Sequence, residues 1–168
     1  YNDYTERSWY SGELNGKCLM KMTDQQLEEI KVYDKQGNEI PRNKYYLSTK
    51  VGRYGENGVN IWNYSGKCAT ESVYKSMERL NVDYIDLINV HDIEFADLHQ
   101  VIHETLPALV ELRNKGIVKH VGITDLQLEN LKWVVEHSAS GTVESILNFC
   151  HYSLNDEKLN DYLDYFES

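Results

Sequence analysis

The sequence predicts an α/β fold in which short buried strands alternate with amphipathic helices and lie parallel in one sheet. Three observations carry that reading. Tyr84-Ile85-Asp86-Leu87-Ile88-Asn89-Val90 is a short apolar run rich in β-branched residues, set between two helical patterns as a strand buried between helices would be. Three similar runs recur at 45–51, 118–124 and 145–152. The connections are short, and such strict alternation implies right-handed crossovers that deliver the carboxyl end of every strand to one rim. At 168 residues and 41% hydrophobic content the chain can bury a real core, but it is shorter than the roughly 250 residues of a closed eight-stranded barrel.

Taken in order, residues 1–10 mix polar and aromatic side chains without a period and read as loop. Ser11-Gly12-Glu13-Leu14 opens a helix carrying Leu14, Cys18, Leu19 and Met22. Residues 23–42 break the pattern and read as an insertion: 25–32 can extend or restart a helix, Asp34-Lys35-Gln36-Gly37-Asn38 is a turn signal, and Pro41 closes the stretch. The strand at 45–51 ends in Gly52-Arg53-Tyr54-Gly55, and 55–65 is a polar loop, long enough to be functional, that holds Trp62 and Tyr64. A helix over 67–80 presents Val73, Met77 and Leu80 on one face before the focal strand. Residues 97–116 form the clearest amphipathic helix, with Leu98, Val101, Ile102, Leu106, Leu109 and Leu112 on one stripe and Gly116 as its stop. The strand at 118–124, a helix over 126–137, the strand at 145–152 and a helix from about Asn155 complete the series.

Charge and cysteines narrow the function classes. A net charge of −10, from 17 basic against 27 acidic residues, argues against nucleic acid and anionic membrane surfaces as partners. Cys18, Cys68 and Cys150 are odd in number, far apart and without CxxC spacing, as free thiols in a reducing cytoplasmic compartment would be. No apolar run approaches the roughly 18 residues that span a bilayer. The first residue is Tyr1, and the last segment stops on a helical pattern without a stop signal, so both ends look cut.

The rim residues are Lys50, His91, Thr124-Asp125 and His151. In parallel α/β sheets ligands bind at the carboxyl ends of strands, and a Lys and a His from neighbouring ends suit chemistry at a carbonyl. The imidazole can hydrogen-bond the carbonyl oxygen, and the ammonium can lower the pKa of a phenol acid. His99 and His103 stand at i,i+4, but without a third ligand they read as a solvated helix face, so no metal site is assigned.

The chain resembles the aldo-keto reductases, (β/α)8 TIM barrels that move hydride between a nicotinamide cofactor and a carbonyl or sugar. The motifs are Leu47-Ser48-Thr49-Lys50-Val51-Gly52, the run Ser76 to Leu87 leading to His91, and Gly116-Ile117-Val118-Lys119-His120-Val121-Gly122-Ile123-Thr124. Lys50-Val51-Gly52-Arg53-Tyr54, His91-Asp92-Ile93-Glu94-Phe95 and Cys150-His151-Tyr152-Ser153 make it most like the L-galactose dehydrogenase branch. The resemblance implies a partial barrel of about four central strand–helix units, with residues 1–168 an incomplete domain lacking both ends. It implies oxidation of an L-galactose-like aldose to its lactone with NAD or NADP, and a small sugar or carbonyl as the partner.

Of the family's Asp, Tyr, Lys and His tetrad, Lys50 and His91 match by motif, and Tyr1 and Tyr4 both stand as the catalytic tyrosine. Thr124, Asp125 and Phe149 fall where the nicotinamide amide is held, although the family commonly has Ser-Asn and often Gln there. Trp62 and His151 are candidates to line the sugar site, and Asp92 reads as a loop cap. An isolated half barrel is expected to be marginal, aggregation-prone and nearly inactive. The alternative is a barrel-derived binding or regulatory module without turnover, favoured by the insertion and the altered 124, 125 and 149 positions. An Asp five residues before Tyr1 or Tyr4 would decide for the enzyme.

Overall fold

The computed structural model describes residues 13–14, 17–18, 32–55 and 61–167. Tyr1, Tyr4 and the expected helix at 25–32, apart from Val32 at its end, lie outside the described residues. Strands β1 (Glu13–Leu14) and β2 (Lys17–Cys18) pair antiparallel, with Leu14 opposite Lys17. This corrects the helix expected to open at Ser11. The sequence between the two strands is Asn15-Gly16, the dipeptide best suited to a two-residue hairpin, and its local preference outweighs the helical spacing of Leu14 and Cys18.

The central sheet has four parallel strands in chain order: β3 (Ser48–Val51), β6 (Ile85–Val90), β7 (Val118–Asp125) and β8 (Ser145–Asn148). Between β3 and β6 lie the short antiparallel pair β4 (Arg53–Tyr54) and β5 (Ile61–Trp62) and helix α1 (Gly66–Leu80). Part of the loop expected over 55–65 is therefore a strand, β5, which pairs with β4 just past the end of β3. Ser65 caps α1 by accepting from the Cys68 N–H, and Asn81 closes it in the left-handed conformation at φ 48°.

The helix expected over 97–116 is present but interrupted. It runs as α2 (Leu98–Gln100), a π-helical turn Val101–Thr105, and α3 (Leu106–Asn114). Pro107 has no N–H to give the fourth carbonyl behind it, and the wider turn just before the proline accommodates that loss. Helix α4 (Leu128–His137) follows β7 and α5 (Asn160–Phe166) follows β8. The strand expected to reach Tyr152 stops at Asn148, and the last helix starts five residues later than about Asn155. Cys150 turns left-handed at φ 71°, and Asp156 accepts from His151 Nδ1 and the Lys158 N–H, so this stretch forms turns instead.

Alternation along the strands gives the sheet two unlike faces. Thr49, Val51, Ile88, Val90, Val121 and Ile123 are buried beneath α1, α3 and α4, where Ala69, Val73, Leu109 and Leu131 meet them. The other face carries Lys50, Leu87, Asn89, His120 and Gly122 and is only partly covered. At the amino-terminal end of the strands Asp86 is buried and accepts from the Leu47 N–H (2.9 Å), Arg42 Nη2 (2.5 Å) and Lys119 Nζ (3.0 Å). Arg42 Nη2 also donates to the Tyr84 carbonyl, so the residue at the end of the expected insertion is tied to the base of the sheet.

Candidate active site

Register decides which side chains share the less covered face. Lys50 pairs with Asn89 and Asn89 with Gly122, so these three side-chain positions point the same way. His91 and Thr124 lie two residues further along their strands and return to that face. Lys50 and His91 therefore stand on one side of the sheet, at its carboxyl rim. Gly122 keeps the row open: a Cβ there would lie 2.8 Å from the Ser145 carbonyl oxygen and would also collide with the Asn89 amide.

The electrostatics follow from burial. Desolvation pulls the Lys50 ammonium down to about 8, with Asp92 opposing the shift. Burial also holds the His91 imidazole below its usual range; Asp92 pulls it back up, while Lys50 and Arg53 add to the lowering. Asp92 Oδ2 lies 3.0 Å from His91 Nε2 and 3.5 Å from Arg53 Nη1. Beneath them Tyr64 Oη donates to the carbonyls of His91 and Asp92, 2.8 Å from each, and Thr105 Oγ1 donates to the Tyr64 carbonyl.

Trp62 stands at the mouth. Its ring stacks on Phe95 at 4.3 Å and 17°, lies 6.1 Å from the His91 ring, and carries the Arg53 guanidinium 5.1 Å from its centre. Phe95 is exposed. The pair makes an apolar ledge beside His91.

Gly52 makes the approach of Tyr64 to this site possible. Its φ of 108° is one that side-chain-bearing residues avoid, and a Cβ there would stand 2.6 Å from the Tyr64 ring. Gly52→Ala is therefore expected to destabilise the chain by about 1–3 kcal/mol, read as a lower urea midpoint at unchanged slope. An unchanged midpoint would mean that the ring gives way freely.

The remaining expected site residues are distributed differently. Thr124 Oγ1 accepts from the Asp92 N–H at 2.9 Å and approaches Asp92 Oδ1 at 3.3 Å. Asp125 turns to the helix-covered face, where its carboxylate accepts from the Gln127 N–H (2.6 Å) and Asn130 Nδ2 (3.0 Å). Burial raises Asp125, and it raises nearby Glu94 to about 7, with Asp125 and Asp92 adding to the latter shift. Phe149 is exposed one residue past β8, and His151 is held through Nδ1 by Asp156 at 2.8 Å, on the turn beyond that strand. The structure thus gathers Lys50, His91, Thr124 and Trp62, and leaves Asp125 and His151 with other partners.

Arg53, Tyr64 and Phe95 bind this cluster together, yet spacing alone did not single out Arg53 or Phe95. Their signal was position: each lies within four residues of a strand end that carries a rim residue.

The profile of the aldo/keto reductase family matches residues 16–166. The chain belongs to this family. It is 36% identical over 167 residues to an L-galactose dehydrogenase of Arabidopsis thaliana, covering 99% of this chain and 47% of that protein. It is 35% identical over 127 residues to a D-arabinose 1-dehydrogenase of Saccharomyces cerevisiae, covering 73% and 37%. Among solved structures, an aldo-keto reductase of Bacillus halodurans in its holo form superposes with a TM-score of 0.64 at 29% identity, over 75% of this chain and 40% of that one. The chain thus spans less than half the length of these aldo/keto reductases, and its four-stranded sheet is part of a TIM barrel.

Aldo/keto reductases generally use a nicotinamide cofactor, and the three residues expected to hold it are placed differently. Thr124 keeps its hydroxyl on the face of Lys50 and His91. Phe149 stands exposed two residues beyond Leu147, the register partner of Thr124. Asp125 does not fit, because its carboxylate faces away and is satisfied by Gln127 and Asn130.

Proposed function

We propose that the chain carries the lysine and histidine half of the active site of an NAD(P)-dependent aldose dehydrogenase, one that oxidises an L-galactose-like sugar at its anomeric carbon to the lactone. The observation that supports this most is the shared face of Lys50 and His91 beside the Trp62–Phe95 ledge. The names of the Arabidopsis and yeast relatives, both sugar dehydrogenases, support the substrate class.

In this reading Tyr1 or Tyr4 takes the proton of the anomeric hydroxyl as its phenolate. Lys50, cationic below about 8, favours that phenolate, and neutral His91 donates to the sugar oxygen and orients it. Thr124 and Phe149 would flank the nicotinamide, which supplies the hydride acceptor.

The test is to extend the reading frame in both directions and assay the product against a panel of aldoses with NAD and NADP. Oxidation of an aldose is the expected result; no turnover with any sugar and either cofactor would overturn the reading. The 168 residues alone are expected to bind neither cofactor measurably, since half of the rim is contributed elsewhere in a full barrel. Cofactor binding by them would refute that.

A second reading, a barrel-derived binding module without turnover, draws on one observation: Asp125 is unavailable to a carboxamide. An extended sequence without an Asp five residues before Tyr1 or Tyr4 would favour it.

A further inference from the structure

His91 and Asp92 touch each other across one peptide bond. Asp92 adopts a left-handed backbone, φ 42° and ψ 64°, uncommon for a residue with a side chain although aspartate tolerates it. That bend folds the carboxylate back until Oδ2 lies 3.0 Å from Nε2 of the preceding ring. Three neighbours from three separate elements hold the bend. Thr124 on β7 accepts from the Asp92 N–H at 2.9 Å, Tyr64 donates to its carbonyl at 2.8 Å, and Arg53 on β4 faces Oδ2 at 3.5 Å.

We propose that Asp92 is a positioning residue for His91: it holds the ring with its hydrogen on Nε2, and its Oδ2 occupies the place at that nitrogen which a sugar hydroxyl takes during turnover. The inference rests on the reading of His91 as the residue that orients the sugar. Oδ2 stands 3.0 Å from Nε2 but out of line with a ring N–H, so it acts on that nitrogen through its charge, and a nearby negative charge favours the tautomer with hydrogen there. Burial keeps the ring neutral, which makes that N–H a donor to an oxygen.

The backbone of Asp92 is pinned at both its N–H and its carbonyl, while its side chain remains a quarter exposed. The carboxylate can therefore swing from Nε2 toward Arg53 without the loop moving, and an incoming hydroxyl takes over as acceptor. The charged and titratable groups around the ring divide by sign. Lys50 from β3 and Arg53 from β4 lower its proton affinity, and Asp92 raises it. Glu94 and Asp125 face each other behind Asp92, and Tyr64 lies below.

The test uses the protein extended in both directions and labelled with 15N-histidine, with the His91 signals assigned by their loss in His91→Gln. Parent, Asp92→Asn and Asp92→Gly are compared, both replacements being residues that accept a left-handed backbone. In the parent, His91 should show the neutral pattern with hydrogen on Nε2. In Asp92→Gly it should show mixed tautomers and a titration midpoint moved to lower pH, with the other histidines unchanged. Asp92→Asn, which keeps an acceptor oxygen but loses the charge, should retain the tautomer while its midpoint falls.

Added acetate should restore the parent tautomer in Asp92→Gly alone, because a free carboxylate can then enter the vacated place. An unchanged tautomer and midpoint in Asp92→Gly, or no response to acetate, would overturn the proposal. No substrate enters this measurement. If the histidine pattern changes as stated and no aldose is oxidised by the extended protein, the positioning role stands and the sugar reading falls.

Discussion

Asp86→Ala should destabilise the chain by roughly 2–4 kcal/mol, the largest stability loss from any single polar substitution outside the rim. Asp86 is 2% exposed and its carboxylate joins three segments at that end of the sheet: the approach to β3, β6 itself and the start of β7. Truncation leaves the Leu47 N–H without its acceptor and two cations facing each other. Arg42 and Lys119 reach water at 21% and 48% exposure, which keeps the figure below that for a fully buried pair.

The pH dependence carries a definite sign. Burial alone would raise the Asp86 carboxyl, but the Leu47 N–H, Arg42 and Lys119 outweigh it and leave the group below the usual carboxylate range. A folded value below the unfolded one means that this stabilisation is complete above the unfolded pKa and fades as pH falls through the folded one. Urea midpoints of parent and variant should therefore differ most near neutrality and converge in acid. A constant difference across that range would show that lost packing, not charge, sets the effect.

On the proposed function, in which the ammonium acts on the phenol proton and does not hold the sugar, Lys50→Met made in the extended protein should lower kcat for aldose oxidation by roughly 10²–10⁴-fold with KM little changed. The same substitution should raise stability at neutral pH. Burial pulls the ammonium from 10.5 to about 8, so the fold bears the penalty of a desolvated charge below about 8 and is relieved of it as pH rises toward 10.5. Methionine matches the stem and carries no charge. A kcat loss together with a higher Tm is the signature of a functional charge kept against the interest of the fold. A raised KM at unchanged kcat would place Lys50 in sugar binding instead.

The four-strand alternation was legible because each strand lies in a short stretch rich in β-branched, aromatic or aliphatic residues and alternates with helices that carry an apolar stripe. The shared face of Lys50 and His91 was legible too, since strand ends and a period of two suffice to place them. Elsewhere local chemistry overrode periodicity. Glu13–Leu14 and Lys17–Cys18 pair antiparallel where a helix was expected, Pro107 opened a π turn within a continuous stripe, and Asp156 ended the last strand early.

The site was readable only where a strand positions it. Asp125 looks like a neighbour of Thr124 in sequence, but adjacent strand residues point to opposite faces, and the helix-side partners Gln127 and Asn130 claim it. The Arg53–Trp62–Phe95 ledge depends on a ribbon and a loop meeting across space, which no spacing along the chain encodes.

The order of the central sheet bears on how the molecule is made. Each of β6, β7 and β8 lies beside the sheet strand made just before it, so each finds a partner already present as it emerges. A ribosome-bound chain can therefore add one strand and its covering helix at a time, and it is the newest unpaired border, moving forward with synthesis, that a chaperone would need to shield.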